Sequence, residues 1–286
     1  MTDPDMPESR FADTADGRVH YQTWGEGPAI ILIHGGGAGA YGYSNYRKNV
    51  EPLSRRNRVI VPDLPGYGQS AQRAQPDGLI VALANAVRDV MDHAGIESAS
   101  LVGNSLGGMT SLRFALDTPE RVDKLVLMGP GGGLPVTTPF PTEGLQRMLD
   151  FYGGEGPTLE KLARITDLLV YDRSSITDDL LEERFRIATL PQTLANPPLR
   201  TLMAHPKDHL WNQGLDQISS PALIIWGAED RVLPLDAGFI LRKLIPNADM
   251  HIFSKCGHWA QWERPDEFNA LVDQFVNNTY TTDRHL

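Results

Sequence analysis

Leu101-Val102-Gly103-Asn104-Ser105-Leu106-Gly107-Gly108 places a G-x-S-x-G motif at a junction. An apolar run with strand character, Ala99 to Gly103, precedes the serine, and a helical pattern from Leu106 to about Leu116 follows it. A serine at the tip of a sharp strand-to-helix turn sits in a strained backbone conformation. Side chains at Gly103 or Gly107 would collide with neighbouring backbone, which explains the glycines. The N-terminus of the following helix aims free N–H groups at any negative charge that develops beside the serine. A bare G-x-S-x-G also occurs in glycine-rich turns with an inert serine. The strand before it and the helix after it set this one apart.

Outward from this junction, short β-branched runs alternate with helical patterns, as in a mostly parallel sheet covered by helices. The expected strands are Arg18–Trp24, Ala29–Ile33, Arg58–Pro62, Ala99–Gly103, Lys124–Met128, Ala222–Trp226 and Met250–Phe253. Expected helices include Leu79–His93, ending at Gly95, and Leu235–Leu244 and Pro265–Val276 towards the end of the chain. From Gly129 to about Gln217 no strand pattern occurs, while helical patterns lie near Leu159–Val170 and Asp178–Leu190. The division predicted is a core formed by residues 1–130 and 218–286, with a helical lid over 131–217. The tail from Asn277 is polar and expected to be loose.

The chain has 286 residues, about two domains or one large α/β domain with an insertion at roughly 150 residues per domain. Its 41% apolar and 22% charged content is that of a globular protein rather than a disordered one. A net charge of −10 argues against a nucleic-acid partner and against docking on anionic lipid. Met1 to Arg10 is polar and acidic, without the apolar stretch of a signal peptide. No apolar run approaches the ~20 residues that cross a bilayer. The single cysteine, Cys256, excludes an internal disulfide framework. These features predict a cytoplasmic protein without a membrane partner. No H-E-x-x-H or C-x-x-C pattern occurs, so no metal and no cofactor are expected.

A serine hydroxyl is a weak nucleophile at neutral pH and needs a base, which in turn needs an orienting carboxylate. Among eight histidines, His258 follows the last strand in Cys256-Gly257-His258-Trp259, at the carboxyl edge of the sheet. His20 and His251 fall within strands, His93 at a helix end, and His205 and His209 in the insertion. For the carboxylate, Trp226-Gly227-Ala228-Glu229-Asp230 follows the penultimate strand and offers both Glu229 and Asp230. The order Ser105, Asp230, His258 is the serine–acid–histidine order of hydrolases built on such a sheet. One βα turn before the serine motif, His34-Gly35-Gly36-Gly37 follows a buried strand. Its glycines let backbone N–H groups approach a substrate oxygen. The expected oxyanion donors are the N–H groups of Gly36 and Leu106, and His34 is expected to serve as a structural hydrogen-bonding group.

On a helix spanning Asp178–Leu190, Leu180, Leu181, Arg184, Phe185 and Ala188 share one face. Arg184 interrupts that apolar stripe and has no carboxylate at i±3 or i±4. It either grips an anion, such as a substrate carboxylate, or turns outward or pairs with a distant acid. Trp211, Val232, Leu233 and Leu169 are apolar and expected around the roof of the cleft.

Taken together, these residues resemble the meta-cleavage product hydrolases, carbon–carbon bond hydrolases of the α/β-hydrolase superfamily. The resemblance runs through His34-Gly35-Gly36-Gly37-Ala38-Gly39, Ser44-Asn45-Tyr46, Leu101 through Gly108, Leu127 through Gly132, Leu180 through Phe185, Trp226 through Asp230 and Phe253 through Glu263. It covers nearly the whole chain, and Gly-Asn-Ser with Cys-Gly-His-Trp is far more specific than G-x-S-x-G. Ala38 stands where some members have proline, and Leu134 to Phe140 cannot be read in register. The resemblance implies the α/β-hydrolase fold with a helical lid, and Ser105, Asp230 and His258 as a catalytic triad. It further implies Asn45, Asn104 and Arg184 as polar contacts to a dienoate head, with Gly35, Gly37 and Trp259 beside them. The implied reaction cleaves a 2-hydroxy-6-oxo-hexa-2,4-dienoate to 2-hydroxypenta-2,4-dienoate and a carboxylic acid, in a homo-oligomer. A generic carboxylesterase would share the triad, and a ligand-binding protein on the same fold could keep the serine. Dehalogenases and epoxide hydrolases carry an aspartate where Ser105 stands.

Overall fold

The computed structural model describes residues 7–278. Eight strands form one sheet: β1 (Arg10–Thr14), β2 (Gly17–Trp24), β3 (Ala29–Ile33), β4 (Arg58–Pro62), β5 (Ala99–Asn104), β6 (Val122–Met128), β7 (Ala222–Gly227) and β8 (Ala248–Phe253). Their order is β1-β2-β4-β3-β5-β6-β7-β8. β1 and β2 pair antiparallel, as do β2 and β4, and every other pair is parallel. The expected strands are all present, several one or two residues longer. β1 is additional, because Arg10–Thr14 is a short, mostly exposed edge strand that carries no apolar alternation.

The central strands are continuous apolar runs because both faces of the sheet are covered. In β3, Ile31 and Ile33 enter one core, and Ile30 and Leu32 enter the other. The first core packs the helices Leu79–His93, Leu106–Asp117 and Leu235–Leu244 against the sheet, through residues such as Val87, Leu112 and Leu241. The second packs Leu53, Phe268 and Val272 on the opposite face. Between β6 and β7 the chain forms helices Glu143–Leu149, Leu159–Leu169, Asp178–Ala188 and Pro191–Ala195, with no strand. A third core cluster holds these helices down: Phe151, Leu162, Ile165 and Leu180 pack with Val232, Trp259 and Trp262. The last helix runs to Asn277, and the rest of the tail from 279 on lies outside the described residues. Among the described residues no helix is long and apolar enough to cross a membrane.

The insertion packs tightly on the loop after β3 at Gly39. This glycine has φ +68°, and a Cβ there would lie 2.0 Å from the carbonyl oxygen of Arg184. Gly39→Ala is therefore expected to destabilise the protein by roughly 1–3 kcal/mol, from backbone strain and overpacking. The change should be read as a lower urea midpoint at unchanged slope. A midpoint equal to the parent's would show that this approach is not tight in solution.

Candidate active site

The carboxyl ends of the parallel strands gather the polar residues, as expected for an open α/β sheet. Ser105 directly follows β5 with φ +53° and ψ −110°, a conformation rare for any residue but glycine. Its N–H donates to the Met128 carbonyl at 2.8 Å, which pins the turn to β6. The flanking glycines are obligatory. A Cβ on Gly107 would lie 2.0 Å from the Ile33 carbonyl oxygen, and one on Gly103 would lie 2.3 Å from that of Gly107.

His258 reaches the same edge from the loop after β8. Its Nδ1 bonds Asp230 Oδ2 at 2.7 Å, with both side chains buried. Asp230 Oδ1 accepts the N–H groups of Val232 and Leu233 at 2.8 and 2.9 Å, which fixes the carboxylate's orientation. With Nδ1 as donor to the carboxylate, Nε2 is the basic nitrogen. Nε2 is buried without a hydrogen-bond partner and belongs to a cavity that Ser105 also lines. Glu229, the neighbouring acid, does something different: its Oε2 accepts the Cys256 N–H at 2.9 Å and so holds the loop that carries His258. Glu263 accepts the Gly257 N–H at 2.6 Å and the N–H groups of Tyr171 and Asp172 at 2.8 Å. It joins that loop to the insertion.

Gly35, Gly36, Gly37, Asn45, Asn104, Ser105, Arg184, His258 and Trp259 all line this one small polar cavity, with Met148 and Leu169. Leu106 lines the adjoining apolar cavity, and Asp230 stands behind His258. His34 lies beneath the glycine loop: its Nδ1–H donates to Gly35 O at 2.8 Å and its Nε2 accepts the Leu64 N–H at 2.9 Å. Burial lowers its pKa below the usual histidine value, which favours the neutral form that these two bonds require. His20 pairs with Asp63 at 2.8 Å, and His93 meets the Tyr21 hydroxyl at 3.0 Å. Both partners lie away from the serine and serve the framework.

Arg184 is 1% exposed. Its Nη2 donates to the Ala38 carbonyl at 2.8 Å, its Nε has no partner, and its guanidinium lies 4.9 Å from the Trp259 ring centre. Among the described residues no carboxylate lies within ion-pair distance of it. Burial lowers its pKa to about 10, so it stays charged at neutral pH. Its neighbour Glu183 is committed elsewhere, to the Tyr41 hydroxyl and to Arg47 Nη2 at 2.6 Å. Asn104 Oδ1 is also buried without a partner. Among the described residues four side chains with an unpartnered buried polar atom, Asn45, Asn104, Arg184 and His258, thus line one cavity, although buried polar groups are normally paired. Helical spacing put Arg184 on the apolar face, but its inward burial is decided by Gly39 and Trp259, which come from elsewhere in the chain.

The adjoining cavity, of about 330 Å³, opens from Ser105 and Gly36 towards Met109, Leu134, Leu202 and Leu233. Val232 and Leu233 line it as expected, and Leu169 lines the polar cavity. Trp211 does not: it is 45% exposed and lines neither, because it sits in the short turn Leu210–Asn212 with Leu210 buried instead. Sequence reading missed Leu199 and Met203. Both line the apolar cavity at positive φ, +66° and +63°, a costly conformation for bulky side chains. Leu199 presses on the glycine loop, since a Cβ on Gly36 would lie 2.7 Å from its Cδ2. No periodic pattern could have announced them.

Residues 28–265 match the family described as alpha/beta hydrolase fold. A 2-hydroxy-6-oxononadienedioate/2-hydroxy-6-oxononatrienedioate hydrolase of Cupriavidus pinatubonensis is 40% identical over 278 residues, 94% of this chain and 96% of that protein. A 2-hydroxy-6-oxo-6-phenylhexa-2,4-dienoate hydrolase of Comamonas testosteroni is 41% identical over 276 residues, with the same coverage, 94% and 96%. Among solved structures, the meta-cleavage product hydrolase CumD of Pseudomonas fluorescens, complexed with acetates, superposes with a TM-score of 0.82 at 33% identity, covering 96% of this chain and 99% of that one.

Proposed function

Since the chain belongs to the meta-cleavage product hydrolases of the α/β hydrolase fold, we propose that it hydrolyses the C5–C6 bond of a 2-hydroxy-6-oxo-hexa-2,4-dienoate. The observation that carries this reading is the buried, carboxylate-free Arg184 in one cavity with Ser105 and His258. A planar guanidinium with a free edge fits the substrate's C1 carboxylate, and a serine hydrolase for neutral esters has no use for one there.

The chemistry follows from these placements. A carbanion is a poor leaving group, so the dienol must first ketonise: the 2-hydroxyl proton leaves and a proton arrives at C5. The resulting 2,6-dioxo form can accept the leaving electrons as a vinylogous enolate. Arg184 and Asn104 hold the head in that geometry. His258 Nε2 then takes the proton of the Ser105 hydroxyl as its oxygen attacks C6, with Asp230 holding the ring. The N–H groups of Gly36 and Leu106 stabilise the oxyanion. When C5–C6 breaks, the electrons pass to the dienolate, which leaves as 2-hydroxypenta-2,4-dienoate after protonation. Water, activated by the same histidine, releases the acid from Ser105. In this reading residues 131–217 act as a lid, with Gly35, Gly37, Asn45 and Trp259 completing the head subsite. The protein works as a cytoplasmic homo-oligomer, in keeping with its family and its single buried cysteine.

Arg184→Gln tests the assignment. It should lower kcat/KM on a 6-phenyl dienoate by ~10²-fold, about 3 kcal/mol, the size expected when one partner of a buried charge pair is lost. Hydrolysis of a neutral p-nitrophenyl ester should barely change. Equal losses on both, in a protein of unchanged circular dichroism, would make Arg184 structural and favour a generic carboxylesterase.

A further inference from the structure

Two relatives of nearly equal identity, 40% and 41%, bear names with different substrates. One is a dioate, whose C6 substituent ends in a second carboxylate, and the other carries a C6 phenyl group. Similarity does not choose between them for this chain, but the wall of the acyl-side cavity does. Among the described residues Ser105 is its one lining residue with a polar side chain, and none carries a charge. Met109, Leu134, Leu202, Met203 and Leu233 form the interior, and the exposed Phe140 and Leu149 form an apolar rim. His209, the titratable group behind Gly133, spends its Nε2 on the Met203 carbonyl at 3.2 Å. The cation of the site, Arg184, lines the polar cavity and not this one.

We propose that this cavity takes a bulky apolar C6 substituent and rejects one that ends in a carboxylate, so that the acid released is aromatic or branched aliphatic rather than dicarboxylic. The proposal rests on the dienoate reading above. Beyond Ser105 and the oxyanion donors at its mouth, a carboxylate entering here would shed its water and meet no polar side chain and no cation in return. At about 330 Å³ the cavity lies within the range of about 300–1,000 Å³ typical of ligand pockets, so a methyl substituent would leave most of its apolar wall untouched. Leu199 and Met203, held at positive φ, aim side chains into that wall, and this makes them size-setting residues.

The test is kcat/KM of the full-length protein on three dienoates with the same head: C6 phenyl, C6 methyl, and C6 carboxyethyl, which is the dioate. The phenyl substrate should exceed the dioate by at least ~10²-fold and the methyl substrate by at least ~10-fold. Benzoate should inhibit as a product at concentrations where succinate does not. A dioate turned over within tenfold of the phenyl substrate, or a methyl substrate equal to it, would overturn the proposal and leave the dienoate reading intact. No turnover of any of the three would overturn both. Leu202→Arg, checked for fold by circular dichroism, adds a cation to the wall and should raise the dioate-to-phenyl ratio at least ~10-fold. A ratio that stays put in the folded variant would show that the substituent lies elsewhere.

Discussion

Asp230→Asn is expected to lower kcat on a dienoate by ~10⁴-fold, while Glu229→Gln stays within about tenfold of the parent. The two acids are adjacent in sequence and differ in what they touch. Asp230 Oδ2 holds His258 Nδ1 at 2.7 Å, and its other oxygen is fixed by two backbone N–H groups. An amide there would present a donor to the ring or force the other tautomer, so that Nε2 would carry the proton it is meant to accept. The Glu229 carboxylate accepts a hydrogen bond from the backbone of the loop, at Cys256, and its amide would keep an oxygen that can accept the same bond. Steady-state kinetics on both variants, with thermal melts to confirm folding, decide the matter. A crippled Glu229→Gln beside a near-normal Asp230→Asn would reverse the assignment.

Ser105→Ala should lower kcat by at least ~10³-fold, because no neighbouring group can replace an activated hydroxyl in acyl transfer. Binding should survive. The head contacts proposed for Arg184 and Asn104 do not involve the hydroxyl, and the apolar cavity is unchanged but for one oxygen. The variant should therefore bind the yellow dienolate and hold it, which makes the change visible in the absorption spectrum as well as in the rate. Alanine at position 105 also relieves nothing in the backbone, since it inherits the same φ of +53°. Stability should stay close to that of the parent. Retention of more than a tenth of the parent's turnover would remove Ser105 from the chemistry.

The elbow around Ser105 and the strands of the sheet were legible because their causes are local. Gly103 is required by its contact with Gly107 inside one strand–turn–helix unit, Gly107 by the end of the neighbouring strand β3, and Ile30 to Ile33 is apolar throughout because a central parallel strand is covered on both faces. The short helices Gly42–Tyr46 and Val50–Ser54 and the edge strand β1 were not legible, since one turn of helix or a solvated edge imposes no period on the sequence. The carboxyl-edge loops could be placed in order, but order alone offered Glu229 and Asp230 equally.

By itself the sequence determined the α/β class, the serine turn, the glycine loop after β3 and the family resemblance. Each of these is written in residues adjacent in the chain, where backbone sterics and strand periodicity act directly. The tertiary structure supplied the contacts behind what the resemblance had only implied, Asp230 on His258 and Arg184 turned inward beneath Trp259, and it alone kept Trp211 outside the cleft. It alone composed the acyl-side cavity, from Met109, Leu134, Leu202 and Leu233. These residues lie on four separate segments, and the absence of charge from a shared wall is a property of their packing that no segment carries alone.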